Sequence, residues 1–156
     1  MSRPEAILDL KREMVDFDRR LFDTNPKARI QTKKHRPVVP VVDELLPWLE
    51  YAPNGYLVRW RNQPIQSFKT AWRAIRRRAR LGADVYAKTI RHTMATELRA
   101  AGVPEAEVQG FLGHRAYTGS TEIYAKYRPD YLGKAAGVVN SYLLRLRSSC
   151  VAPDVE

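Results

Sequence analysis

The sequence predicts an α+β domain, mostly helical, with a small antiparallel sheet in its first third. Three observations carry that expectation. Apolar residues recur at helical spacing through most of the chain beyond residue 67, and Gly and Pro punctuate those segments. Short apolar runs near residues 15–22 and 38–41 flank a basic tip, as paired strands do. With 156 residues, 44% hydrophobic and 28% charged, the chain suits one globular domain with a modest core.

Pro4 fits the first turn of a short helix carrying Ile7, Leu8 and Leu10, and Met14 and Val15 open an apolar segment. Val15, Phe17, Leu21 and Phe22 flank charged residues, Asn25-Pro26 reads as a turn, and Ala28–Ile30 and Val38–Val41 read as small antiparallel strands. Lys33, Lys34, His35 and Arg36 then fall at or near a hairpin turn. Asp43 is expected to cap a helix through Leu45, Leu46, Trp48 and Leu49 that ends before Pro53-Asn54-Gly55. Tyr56 to Trp60 alternates as a short strand.

Ser67 is expected to cap a helix from Phe68 to about Leu81, with Phe68, Trp72 and Ile75 buried on one face and Gly82 closing it. From Thr89 to Ala101 a helix turns Ile90, Met94 and Leu98 inward and stops at Gly102. Pro104 starts the next, with Val108, Phe111 and Leu112 inward. This pair has a helix-turn-helix outline, but Glu105 and Glu107 would repel phosphates where a recognition helix meets DNA. An amphipathic segment from Tyr131 through Leu144 closes the pattern and suits packing on its own domain or on a neighbouring copy.

The charge points to a partner. Twenty-seven Lys and Arg against seventeen Asp and Glu give +10, a field that concentrates polyanions, and nucleic acid leads among them. Arg59, Arg61, Lys69, Arg73, Arg76, Arg77, Arg78 and Arg80 follow one another with no acid between them. Ordinary solvated helix faces mix both signs, so this run favours phosphate contact. The single cysteine, Cys150, excludes an intrachain disulfide framework and has no metal-ligand spacing, which suits a reducing compartment. No apolar run approaches the ~20 residues that span a bilayer, and no signal-peptide core appears, so a membrane role is not expected.

Chemistry concentrates between residues 88 and 124. Lys88-Thr89-Ile90-Arg91-His92, Leu112-Gly113-His114 and Thr121-Glu122-Ile123-Tyr124 occur in that order. An Arg fork matches two phosphate oxygens and stays charged. A His donates or shuttles protons near neutrality. A Tyr phenol, once deprotonated against phosphorus, forms a covalent bond that conserves the energy of the phosphodiester. His92 reads as a packing residue beside Arg91, and Tyr127 as a rival to Tyr124.

These pieces, with Arg3 in Ser2-Arg3-Pro4-Glu5 and the segment Gln31-Thr32-Lys33-Lys34-His35-Arg36-Pro37-Val38-Val39-Pro40, resemble the catalytic domain of the tyrosine recombinases, the phage integrase family, over essentially the whole chain. The resemblance implies that fold, and site-specific DNA recombination or integration. Tyr124 would attack the scissile phosphate, Arg3 and Arg91 would clamp its oxygens, and His114 would add a hydrogen bond. Lys88 would accept the Tyr proton, and Lys33 or Lys34 would protonate the departing 5′-oxygen. No metal or other cofactor is implied. DNA contacts are expected from Lys34, Arg36, Arg59, Arg61, Lys69, Arg73, Arg76 and Arg77.

Residues 1–156 read as a partial catalytic domain lacking the family's N-terminal DNA-clamping domain, acting on double-stranded DNA and self-associating there through the C-terminal helix. A bacterial or phage-derived cytoplasmic protein is expected. The competing reading is a catalytically incomplete DNA-binding integrase fragment, and a type IB topoisomerase-like strand relaxer is a more distant one.

Overall fold

A computed structural model describes residues 2–30, 35–114 and 129–150. The fold is α+β and mostly helical, with a small antiparallel sheet, as the sequence predicts. Helix α1 spans Pro4–Leu8, with Arg3 at its N-cap and Pro4 in its first turn, where the missing N–H costs nothing. Strands β1 (Val15–Asp16), β2 (Leu21–Asp23) and β3 (Val38–Pro40) form one antiparallel sheet in the order β1-β2-β3. The register pairs Val15 with Phe22 and Phe22 with Val39, so the apolar side chains share one face. Val15, Phe22, Val41 and Leu49 make a small core there.

Ala28–Ile30 is not a strand. Asn25 donates to the Arg29 carbonyl and accepts from the Arg29 guanidinium, and the Arg29 N–H closes on Pro26 O at 2.8 Å, so side-chain bonding wins the segment for a turn. Asp43 does not cap α2 (Leu46–Glu50) either, because its carboxylate pairs with Arg20 at 3.0 Å. The expected strand at Tyr56–Trp60 shrinks to one bridge, Lys11 to Tyr56, and to β4 (Arg59–Trp60). β4 turns back on β5 (Gln63–Pro64) through Arg61 and Asn62, both at positive φ, the geometry of a tight hairpin turn.

Helix α3 spans Lys69–Arg78, and the Ser67 hydroxyl accepts the Lys69 N–H just ahead of it at 3.3 Å. Its end differs from the expectation: Arg80, at φ 52°, takes the left-handed position assigned to Gly82. The Arg80 and Leu81 N–H groups return to the carbonyls of Arg77 and Arg76, a complete C-terminal cap. No α3 residue is buried, and Ile75 is 54% exposed, so the aromatic stripe read from the sequence does not enter a core.

Helices α4 (Ala87–Ala100), α5 (Glu105–Leu112) and α6 (Gly133–Ser149) build the main core. Met94, Leu98, Val103, Val108, Phe111, Leu112, Leu132, Ala135 and Val139 meet there with Val42. Each large apolar side chain taken from water in this way contributes about 1.5–3 kcal/mol. Gly102, at φ 67°, ends α4 as predicted. Ile90 departs from its stripe at 59% exposed; Arg91, three and seven residues before Met94 and Leu98, takes the inward face instead. The C-terminal helix packs on its own domain, with Glu107 of α5 accepting the Ala135 N–H at its first turn and Asn140 accepting the Glu44 N–H.

Candidate functional site

Two helix ends and one extended strip bring the site together. The strip is residues 35–37, ahead of β3. Buried Thr24 fastens it to β2, its N–H and hydroxyl both donating to Pro37 O, at 3.2 and 2.6 Å. On one side of the strip, Arg3 Nη1 donates to the His35 carbonyl at 3.1 Å. On the other, Gly113 leaves α5 at φ 67°, and its N–H and that of His114 return to Gly110 O and Gln109 O, each at 2.9 Å. A Cβ on Gly113 would lie 2.8 Å from Pro37 Cδ and 3.0 Å from His35 O. Only glycine satisfies both the backbone angle and the close approach there.

That turn delivers His114 to Arg91. The Arg91 Nη2 group donates to Leu112 O, the last carbonyl of α5, and lies 3.1 Å from His114 Nε2. A cation suits the negative end of a helix, which contributes about 0.3–1 kcal/mol. Neutral backbone carbonyls help to aim both the Arg3 and the Arg91 guanidinium here.

The electrostatics follow from that convergence. Burial, then the neighbouring Arg3, pushes the Arg91 guanidinium below its ordinary value. His114 is lowered by burial first, then by Arg91 and Arg3, with Glu105 opposing. Arg3 and Arg91 thus repel one another in a partly desolvated place, and both disfavour the protonated form of His114. An anion with several oxygens relieves that repulsion and can accept from all three.

Lys88 stands exposed in the first turn of α4, three residues before Arg91, with its ammonium 5.6 Å from the centroid of the Tyr86 ring. Lys33, Lys34, Tyr124 and Tyr127 lie outside the described residues. Among the residues expected on DNA, Arg59 and Arg61 occupy the β4–β5 hairpin, and Lys69, Arg73 and Arg77 are exposed on α3. Arg76 is half-buried and donates to Ala83 O at 2.9 Å. Arg36, expected to face DNA, turns inward: its side chain is 12% exposed and pairs with Asp9 at 2.7 Å. Sequence reasoning missed Asp9, because nothing local marks a carboxylate as the partner of a cation 27 residues away. Among the described residues, no group of three or more His, Cys, Asp or Glu is placed to hold a metal ion, and no helix is long and apolar enough to cross a membrane.

The fold is mostly helical with a small sheet, and it brings Arg3, Arg91 and His114 close enough to act on one another electrostatically. The model of the phage integrase family matches residues 2–130, and the chain belongs to that family. It is similar to the tyrosine recombinase XerA of Thermococcus kodakarensis, 29% identical over 143 residues, which cover 85% of this chain and 49% of that protein. The chain therefore spans about half the length of the curated relative it matches. No solved structure gives a significant match.

Proposed function

We propose that this chain cleaves and rejoins duplex DNA in site-specific recombination, through a 3′-phosphotyrosyl intermediate on Tyr124. The observation that carries the reading is the convergence of Arg3, Arg91 and His114 around the 35–37 strip. In this reading, Arg3 and Arg91 hold the non-bridging oxygens of the scissile phosphate and His114 donates to one of them. Those contacts strengthen as charge builds in the transition state. Lys88 takes the phenol proton as the Tyr124 oxygen bonds to phosphorus. Lys33 or Lys34 protonates the departing 5′-oxygen, and reversal of the same steps reseals a strand.

The exposed cations of α3 and of the β4–β5 hairpin would track the flanking backbone. Such contacts set position and affinity rather than sequence. Self-association on DNA through α6 belongs to the same proposal, supported by the exposed Leu144 and Leu146 in its last turns.

A nicked duplex tests the reading, because cleavage next to a nick lets the short downstream fragment with its free 5′-hydroxyl diffuse away and traps the covalent product. Incubation with a pool of such duplexes should give a protein–DNA adduct on a denaturing gel that Tyr124→Phe abolishes. Salt-sensitive binding to the same pool without any adduct would instead support a DNA-binding chain that lacks turnover.

A further inference from the structure

We infer that Asp9 is a positioning residue, whose ion pair with Arg36 seats α1 and thereby sets the guanidinium of Arg3 in the phosphate site; the inference rests on reading Arg3 as a phosphate clamp. Helix α1 has five residues, and Ala6 is the only one of them buried. So short a helix is marginal alone, and so small a buried face does not fix its place. Beneath it lies a cavity of about 30 Å³, room for one water, lined by Arg3, Glu5, Arg29, His35 and Arg36. Polar ties therefore matter to the placement of α1.

Polar ties hold it at both ends, and both reach the same strip. At the N-cap, Arg3 donates to His35 O at 3.1 Å. At the C-cap, Asp9 Oδ2 accepts from Arg36 Nη2 at 2.7 Å. His35 and Arg36 are consecutive, and Thr24 fixes the strip to β2 through Pro37. Arg3 and Asp9 thus tie the two ends of α1 directly to the strip, while the chain just past Asp9 is held separately by the Leu57 N–H to Leu10 O bond at 2.9 Å. Loss of the Asp9 bond removes the tie between the C-terminal end of α1 and the strip and lets the Arg3 guanidinium shift.

The Arg3 Nε–Hε resonance in a nitrogen–proton NMR spectrum, assigned by its loss in Arg3→Lys, reads this directly. In Asp9→Asn the resonance should move to the position and rapid exchange of a solvent arginine, and Asp9→Glu should restore part of the shift. An unmoved resonance in Asp9→Asn overturns the inference. Should Asp9→Asn fail to fold, Asp9→Glu and Arg36→Lys weaken the pair by degrees; a graded shift supports the inference and none refutes it. On nicked duplex, Asp9→Asn should slow adduct formation by about 10- to 100-fold with affinity for DNA retained. In an Arg3→Ala background the same substitution should cost nothing more, whereas additive losses would show that Asp9 does not act through Arg3. A parent chain that forms no adduct counts against the recombinase reading, and the Arg3 resonance still decides the role of Asp9.

Discussion

Arg91 Nη2 and His114 Nε2 lie 3.1 Å apart across 23 residues and a helix. A guanidinium only donates, so His114 accepts at Nε2 and carries its proton on Nδ1. The resting site therefore holds a neutral imidazole beside two fixed cations. An arriving phosphate reverses the balance and favours the protonated, donating ring.

Stability should depend on pH through His114. Its folded-state value lies below the usual 6.5, so on acidification the unfolded chain takes up the proton first. The contribution is whole above about pH 6.5 and is lost as pH falls from there through the lower folded value. Thermal melting should thus fall with acid more steeply in the parent than in His114→Gln. The difference is small, because the ring is partly exposed and screened.

Arg91 should be irreplaceable by lysine. A point charge cannot satisfy Leu112 O, His114 and two phosphate oxygens with fixed geometry. Arg91→Ala and Arg91→Lys should each slow adduct formation on nicked duplex by about 10²–10³-fold, with a much smaller loss in filter-binding affinity.

Gly102 and Gly113 share a φ of 67° but not their surroundings. A Cβ on Gly102 meets nothing within 4 Å, so Gly102→Ala should cost only the left-handed strain, about 1–2 kcal/mol. Gly113→Ala adds the clash with Pro37 and His35 and displaces His114. Urea unfolding should rank Gly113→Ala as the more damaging, and the adduct assay should separate the two further.

Arg73 and Arg77 are exposed cations on α3, whereas Arg76 is tied to Ala83. Arg73→Ala with Arg77→Ala should weaken binding alike for unrelated duplexes and lower the slope of log affinity against log salt by about 1 for each phosphate no longer neutralised. Unchanged slopes would remove α3 from the DNA interface.

The α4–α5 core, the stop at Gly102 and the membership of Arg91 and His114 in one motif set were legible in the sequence. Helical period and cap chemistry act over a turn or so of chain, and they decide structure wherever nothing distant competes. Arg80 closing α3 was not legible: a positive φ at arginine carries no local mark, and the backbone bonds of the cap enforce it. Asn25 and Asp43 show the competition openly. One side chain won a turn from an expected strand, and the other left a capping position for a cation on a neighbouring hairpin. The stripe of α3 is present as a pattern, but burial needs a partner surface, and that lies beyond any one segment. By itself, the sequence determined the candidate phosphate ligands and the helices that carry them. Only the tertiary structure decided that Arg3, Arg91 and His114 face one place while Arg36 turns inward to Asp9, because those distances are set by loop closure and packing between segments tens of residues apart.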